Sequence, residues 1–558
     1  MSFTWSMLQK LLGYTRGEVD WVLGLFLVVL GVIRVVQIVL RDRKLPPGPW
    51  GVPFLGYLPF VKTPPHLLFQ KMARKYGPTF SFRFGSHLIV VLSDYRTIRN
   101  AFRRECFSGR PENEISQIIE GFGLINSDGK LWKGQRKFLH EKLRNFGMRL
   151  MGQGREQLEA RIMVEVDEFL NTMLINRGTP VNLSQFLTVN ISNVICSLLM
   201  SVRFSRDDAR FKKFTALIEE GFRLCTSTGS TNFIPSLKYL PEIKEINGKI
   251  QQNRAEMASF FREIVEEHKA TFDPSNIRDV VDSYILEIET AKAEGRDEFL
   301  FEGKDPDRQI YQILGDMYSA GMETVKTAMS WAVLYMLHYP EVLENVQKEL
   351  DQVVGRERLP TLDDMPNLPY TEATVLEVLR RACIVPLGTT HSTTKEVILD
   401  GYVIPKNTQV MPSLYAVSMD EELWEDPEEF NPSRFLNASG AVEKPDFWMP
   451  FGAGRRMCLG DTLAKQELYL FFTSLVHCFH LKQVEGTVLP DLVGQAAVTI
   501  CPGEYELIAI PRNDDTSSSK KTGNGGDCAV VNSSALSVKS QALLSSCPLL
   551  ERRNAGQH

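Results

Sequence analysis

The sequence predicts a mainly α-helical protein with a small β part, and three observations carry that expectation. Apolar residues recur at three- and four-residue spacing over much of the chain, the period of a helix buried on one face. Alternating runs are few and short, as in TFSFRFG and LIVVLS within residues 79–93. One helical pattern, residues 307–339, runs without a proline until Pro340 and spans about 50 Å, enough to cross most of a domain.

In chain order, residues 21–40 (WVLGLFLVVLGVIRVVQIVL) have the length and apolarity of a membrane-crossing helix. Arg34 and Gln37 fall towards one end, where long side chains reach the interface. Arg41, Arg43 and Lys44 follow directly, and the positive-inside rule keeps that end cytoplasmic. No small-residue cleavage pattern follows, so residues 1–44 are expected to hold an uncleaved anchor and its basic flank. Residues 45–60, LPPGPWGVPFLGYLPF, cannot be helical, because prolines lack a donor and hold the preceding residue extended. They are expected to form a stiff hinge between anchor and body.

The body is expected at 61–512, with helical patterns at 158–174, 208–224, 247–269, 276–294, 307–339, 340–354 and 370–381. VILDGYVIP, 397–405, turns through Asp400-Gly401 as a hairpin. Inside the long helix, SAGMETVK (319–326) contains Gly321, which costs about 1 kcal/mol relative to alanine. Either the helix packs closely on a neighbour there, or it opens locally to receive a ligand. After Asn513 the chain reads DDTSSSKKTGNGGD and stays poor in large apolar residues, the composition of a disordered tail over 513–558.

A formal net charge of −5 offers no overall attraction to nucleic acid. The nine cysteines, at 106, 196, 225, 383, 458, 478, 501, 528 and 547, include no CxxC or CxxxC pair. That argues against a zinc ribbon or a disulfide framework and reads as mostly inert thiols. Cys458 differs. In PFGAGRRMCLG, 450–460, it directly precedes a strong helical pattern, so a helix N-terminus is expected to stabilise its thiolate and lower its pKa. Gly454 and Gly460 would let backbone approach something flat and large, and Arg455 and Arg456 add positive charge. The residues alone leave a nucleophile, a metal ligand and a buried structural thiol open. None of the nine histidines lies close in sequence to serve a nucleophile. A single thiolate ligand leaves the metal's other positions to a cofactor, and haem fits that description.

The segment resembles the cytochrome P450 family, matching every fixed position of FxxGxRxCxG with Phe451, Gly454, Arg456, Cys458 and Gly460. EVLR matches the family's ExxR with Glu377 and Arg380, FNPSRF adds Arg434, AGMET matches the oxygen-activation motif, and WKGQR matches WxxxR with Trp132 and Arg136. The resemblance implies the cytochrome P450 fold, a triangular helical body with the long central helix over haem b (iron protoporphyrin IX). It implies Cys458 as the axial thiolate of the haem iron. Arg456, Trp132 and Arg136 match the family's haem-propionate contacts, and Arg110 and His391 match positions that commonly serve there. Arg455 is read as a surface charge. Glu377, Arg380 and Arg434 match a buried structural triad. Thr324 and Glu323 match the pair that organises dioxygen and proton delivery, with Val325 where the family often has a second Thr or Ser.

The implied activity is monooxygenation of a lipophilic substrate with O2 and two electrons drawn from NADPH. The chain carries no flavin or nicotinamide fingerprint, so the resemblance implies NADPH-cytochrome P450 reductase as partner, with cytochrome b5 as a further one, at the endoplasmic reticulum membrane. Lys133, Lys137 and Arg455 are candidates to meet the reductase's acidic surface. Three segments match the family's variable pocket regions: PENEISQIIEGFGLI, PLGTT and GQAAVTI. From these and the long helix the expected walls are Ile118, Ile119, Phe122, Ala320, Thr389 and Ala497, with Ser116, Gln117, Thr389 and Thr390 as polar anchors. Stretches such as LINSDGKLWKGQRKFLHEKLRNFGM and NRAEMASFFREIVEEHKATFDPSNIRD resemble insect ecdysteroid 26-hydroxylases, which inactivate 20-hydroxyecdysone by oxidising its side-chain terminus. Another insect steroid or xenobiotic hydroxylase, including one of ecdysteroid synthesis, is the alternative. A peroxide isomerase tends to lose the Glu-Thr pair, and a haem gas sensor would not need it.

Overall fold

The computed structural model describes residues 43–512 apart from Pro53, Ser86, Leu150, Thr228 and Ala497, together with Trp21, Leu25, Phe26 and Val29. Those four are helical and exposed. The rest of the expected anchor and the expected tail lie outside the described residues, as does the expected pocket residue Ala497.

Each helical pattern in the body becomes a helix with ends a few residues from those expected: Gln153–Ile175, Ala209–Ser227, Pro241–Ala270, Val280–Ala293, Pro306–His338, Pro340–Val353 and Pro369–Ala382. The central helix, Pro306–His338, begins where Asp305 accepts the Arg308 N–H at 2.8 Å and Pro306 fills a position that needs no donor. Pro340 ends it. Four longer helices were not legible: Pro65–Tyr76, Tyr95–Arg103, Gly129–Asn145 and Leu183–Met200. The last is long and apolar enough to cross a membrane but is mostly buried, so it is a core helix. A helix buried all round shows no amphipathic period, so its sequence carries no helical signature.

The central helix packs on Leu183–Met200, Pro241–Ala270, Pro369–Ala382 and the helix Asp461–Cys478. Tyr318 donates to Ser192 Oγ at 2.8 Å across the first of these contacts. A Cβ on Gly321 would come within 2.7 Å of Ile195 Cδ1. The central helix is continuous through this point, where Gly321 both packs closely on Ile195 and lines the cavity described below. Thr324 donates back to the Ala320 carbonyl at 2.8 Å without interrupting the helix.

A four-stranded sheet places Thr79–Phe84, His87–Leu92, Gln409–Pro412 and His391–Ser392 side by side. The first two form an antiparallel hairpin, while His87–Leu92 runs parallel to Gln409–Pro412 with Val90 opposite Val410. The proline-rich segment is pinned to this sheet and is not a free spacer. Ser81 donates from N to Pro47 O at 2.9 Å and from Oγ to Pro46 O at 2.6 Å, and Gly56 bridges Phe84. The hairpin expected at 397–405 forms from Val397–Leu399 and Tyr402–Ile404. Cys106, Cys196 and Cys383 are buried free thiols, as expected of inert cysteines.

Among the described residues, His268, Asp279 and Asp282 have the spacing to hold a metal ion. Their atoms are already engaged. His268 meets Asp279 Oδ2 at 2.8 Å and the Ile264 carbonyl at 2.8 Å, Asp279 Oδ1 caps Asp282 N, and Asp282 takes Arg278 at 2.6 and 2.8 Å. Burial pulls the His268 pKa down, but the hydrogen bond and charge of Asp279 and the Ile264 carbonyl outweigh it, leaving it raised. The pair therefore contributes its full stability below about pH 6.5, the unfolded value, and loses it as pH rises through the folded value. The advantage of the natural chain over His268→Gln in urea-unfolding midpoint is expected to be largest in mildly acidic buffer and to shrink under alkaline conditions. An advantage independent of pH would show that His268 is neutral in the fold.

Candidate active site

The loop 450–460 is built to hold Cys458 in place. Cys458 N donates to Phe451 O at 3.0 Å, and Gly454–Arg456 makes a tight turn closed by Met457 N to Gly454 O at 3.2 Å. Gly454 has φ +75°, and a Cβ there would lie 2.2 Å from Phe102 O on the helix Tyr95–Arg103. Its glycine is thus required by packing on that helix, and the expectation that it lets backbone approach a flat ligand is corrected. Gly460 borders the cavity beside Cys458, and a Cβ there would touch nothing within 4 Å.

The cavity has a volume of about 340 Å³, at the small end of ligand pockets. It brings together Cys458, Phe451, Gly460, Thr324 and Ala320 with Arg110, Trp132, Arg136, His391, Arg456 and Thr389. The Cys458 side chain is exposed to this cavity while protein encloses it on the other sides. Burial pushes its thiol pKa up, with Asp461 adding to the rise. The Gly460 N–H, Arg136 and Lys465 oppose it without prevailing. The pKa of the free thiol is therefore not lowered as expected, because desolvation exceeds the Gly460 N–H and the neighbouring cations. A bound metal reverses that balance by deprotonating a coordinating thiol.

Three guanidinium groups line the same cavity. Arg456 donates to Ser108 O at 2.9 Å and Ser127 O at 2.7 Å and lies 4.0 Å from the centre of the Trp132 ring, but its Nη1 is buried with no partner. Arg110 donates to Ile125 O and Thr390 O, each at 2.7 Å, and to Thr389 Oγ1 at 3.1 Å. Arg136 reaches Met457 O at 2.5 Å. None of the three has a carboxylate partner among the described residues. Burial and their mutual repulsion hold Arg456 down to about 8 and Arg110 to about 10, and burial lowers Arg136. His391 stacks on Phe102 at 3.7 Å and donates from Nδ1 to Phe107 O at 2.8 Å; burial, Arg110 and Arg456 push its pKa to about 3. Three converging cations, one with an orphaned donor and none in an ion pair among the described residues, fit a ligand bearing two carboxylates, with Asp128 offsetting part of the charge on Arg110 and Arg456. An open face at Gly460 and a thiol between them fit the rest of haem.

Glu323 does not line the cavity; it pairs with Lys326 at 2.8 Å, with the Cys501 thiol 4.0 Å from its other oxygen. Thr324 does line it. The expected walls Ile118, Ile119 and Phe122 stand outside the lining, and Phe122 is occupied by Lys304 and Arg308, each 4.4 Å from its ring centre. Ser116 closes a capping box with Asn113 and is no substrate anchor, and Gln117 is exposed outside the lining. Lys133 is paired with Glu105, while Lys137 is exposed and Arg455 donates to Arg103 O at 3.0 Å. Leu124, Ile125, Leu198, Leu199 and above all Asp316, a buried carboxylate, also form the cavity wall and are not among the residues expected there. Burial raises the Asp316 pKa against the hydrogen bonds it accepts. Its signal was present in the sequence: Asp316, Ala320 and Thr324 recur every four residues and share a helix face.

Away from the cavity, Glu377, Arg380 and Arg434 form one buried cluster, with Arg380 bidentate to Glu377 at 2.6 and 2.8 Å and Arg434 at 3.0 Å.

This helical body, with a thiol and three arginines sharing a cavity with the middle of its longest helix, belongs to the cytochrome P450 family, whose model matches residues 46–509. The chain is therefore a monooxygenase of a family that uses haem, O2 and electrons from a reductase. It is 50% identical over 505 residues to cytochrome P450 18a1 of Drosophila melanogaster, covering 90% of this chain and 94% of that protein. It is 34% identical over 499 residues to human cytochrome P450 2U1 (84% and 89%) and 36% identical over 475 residues to mouse cytochrome P450 2B19 (84% and 94%).

Proposed function

We propose that this chain hydroxylates a steroid at C-26 of its side chain, with 20-hydroxyecdysone as substrate, and that Cys458 would hold the iron of haem b. The observation that carries the haem assignment is the exposed Cys458 thiol sharing one cavity with three arginines, one of which has a buried donor without a partner. Arg456 Nη1, Arg136 and Trp132 would hold the propionates, with Arg110 beside them. His391 would donate there only after gaining a proton, which a neighbouring anion favours. When bound, haem supplies activation of dioxygen. Thr324 lines the cavity, and its neighbour Glu323, held by Lys326, would serve with it in proton delivery. Leu124, Ile125, Leu198 and Leu199 exclude water and orient a lipophilic substrate.

Likeness of whole stretches to ecdysteroid 26-hydroxylases supports the steroid reading, as does the identity of half the residues with the Drosophila relative. The alternative remains another insect steroid or xenobiotic hydroxylase. We further propose residues 1–44 as an endoplasmic reticulum anchor, 45–60 as its connection, 61–512 as a cytoplasmic catalytic domain and 513–558 as a tail. NADPH-cytochrome P450 reductase, with cytochrome b5 as a second donor, would supply electrons, and Lys137 and Arg455 are the exposed cations available to meet it. Trp50 and Phe54 are exposed, as are Tyr239 and Leu240, and Phe84 links the two segments through its bridge to Gly56 and its ring 5.0 Å from Phe233. That apolar surface suits membrane lipid.

Membranes carrying the protein and reductase are expected to convert 20-hydroxyecdysone to a 26-hydroxylated product when NADPH is added. Turnover of other lipophilic compounds with no side-chain oxidation of this steroid would remove the substrate assignment alone.

A further inference from the structure

Lys326 stands on the central helix just after Thr324 and Val325, which line the cavity, and its side chain is 11% exposed. Its Nζ donates to Glu323 Oε2 at 2.8 Å, and the Glu323 side chain is 15% exposed. This is not the solvated pair of a helix surface. Nor does a buried pair serve stability well, because apolar side chains of similar shape hold a fold equally firmly. Helix geometry gives the pair another effect. At about 100° per residue, Thr324 lies about 100° to one side of Glu323 and Lys326 about 60° to the other. The ammonium therefore draws one carboxylate oxygen towards the side opposite Thr324. The remaining oxygen, Oε1, lies 4.0 Å from Cys501 Sγ, which also meets Thr499 Oγ1 at 3.3 Å and Thr327 Oγ1 at 3.7 Å. Cys501 is itself fixed, because Trp331 Nε1 donates to Ile500 O and Ile500 N to Ile384 O, each at 2.8 Å.

We infer that Lys326 is a positioning residue for proton delivery: by holding Glu323 Oε2 it fixes the place and the charge of the acid beside Thr324, while Cys501 bounds the other oxygen. The inference rests on the proposed role of Glu323 with Thr324 and names what governs that role in this chain. Thr324 Oγ1 already donates to Ala320 O at 2.8 Å, so it receives a proton-bearing partner through its lone pairs. Val325 follows it and offers no hydroxyl, which leaves the route dependent on where the acid stands. Without Lys326, a carboxyl this buried takes up a proton in place of remaining an unpaired charge, and its rotamer is no longer fixed. The consequence is a choice between products. One O2 with two electrons and two protons ends either as one hydroxylated product and one water, with the substrate supplying the C–H bond that breaks, or as one hydrogen peroxide.

The test compares the haem-loaded natural enzyme with Lys326→Met, Lys326→Arg, Glu323→Gln and the double variant Lys326→Met/Glu323→Gln. The first readout is the infrared spectrum of enzyme labelled with carbon-13 carboxyl glutamate, in which the Glu323 band is the one missing from Glu323→Gln. That band is expected to be that of an ionised carboxylate in the natural enzyme and Lys326→Arg, and that of a protonated acid in Lys326→Met. The second readout is the ratio of hydroxylated product to hydrogen peroxide with reductase, NADPH and 20-hydroxyecdysone, or with 7-ethoxycoumarin if the steroid is not oxidised. Lys326→Met is expected to lower that ratio about tenfold, part of the roughly hundredfold or more that a placed proton donor supplies. Lys326→Arg should restore most of it. In the double variant the ratio should equal that of Glu323→Gln, because a residue that acts through another has no effect once the other is gone. Lys326→Gln keeps a donor within reach without the charge and stands in for Lys326→Met if the latter does not accumulate. A purely structural Lys326 would lower the urea midpoint and leave both readouts alone. An unmoved Glu323 band overturns the inference, as does a natural ratio in Lys326→Met where Glu323→Gln has lost it, or a double variant worse than Glu323→Gln. A natural ratio in Glu323→Gln removes the proposed role of the acid, and the inference with it.

Discussion

Cys458→Ala is expected to give a folded chain that has lost the absorbance of reduced, carbon-monoxide-bound thiolate haem, with monooxygenase turnover below detection. The fold should survive because the side chain is exposed to the cavity and the bond that closes its loop runs from backbone to backbone, Cys458 N to Phe451 O. Exposed substitutions away from such anchors cost within about 0.5 kcal/mol. The spectral signature should not survive, because no other cysteine among the described residues lines the cavity. His391, the nearest alternative nitrogen ligand, is tied through Nδ1 to Phe107 O and stacked on Phe102. Since burial raises the thiol pKa, uptake of haem by the apoprotein must release the thiol proton, and loading should grow more favourable as pH rises. Retention of the thiolate band in Cys458→Ala would mean that another residue is the ligand.

What the sequence revealed of the site follows from how far each feature depends on distant parts of the chain. Cys458, Arg456 and the Glu377–Arg380 pair stand in short fixed spacings, and such residues face a common partner whatever surrounds them. The fate of Gly454 depends on Phe102, more than three hundred residues away, so its glycine could be recognised but not its purpose. The Cys458 pKa has the same character: the helix N-terminus is local and was legible, while the enclosure that outweighs it comes from the whole body. Phe122 is expected as a pocket wall because its segment matches the family's variable pocket region. Lys304 and Arg308 claim its ring from the region where the central helix begins, a contact that no spacing announces. Ser116 was more avoidable, since the Asn113-to-Ser116 spacing of a capping box is local. Helices behave likewise: amphipathic ones declared themselves, whereas Leu183–Met200, buried on all sides, had no polar face to mark its period.

Glu377→Ala is expected to prevent accumulation of folded protein, and the reason lies in what it leaves behind. Glu377 is fully buried, Arg380 is 1% exposed, and the Arg434 side chain is 9% exposed. Removing the carboxylate strands two buried guanidinium groups and the Asn431 N–H, which donates to Glu377 Oε1 at 3.0 Å. Breaking a buried ion pair from one side costs about 3–5 kcal/mol, a large part of the roughly 5–15 kcal/mol that keeps a protein folded. The damage spreads because the same arginines hold a long loop by its carbonyls. Arg380 donates to Ser418 O and Pro427 O at 2.7 and 2.9 Å, and Arg434 donates to Glu425 O at 2.8 Å. Both guanidinium groups also lie over the Trp424 ring, at 5.1 and 6.0 Å. Arg380→Lys keeps the charge but gives up the fork that reaches both Glu377 oxygens, so it should be less destabilising than Glu377→Ala but still measurably so. None of the three residues lines the cavity. Whatever fraction folds should therefore bind haem and turn over normally per folded molecule, with the loss appearing in yield and in the urea midpoint. A normal midpoint for Glu377→Ala would show that the triad does not hold the fold. A normal midpoint with lost turnover would move these residues from the scaffold to the chemistry.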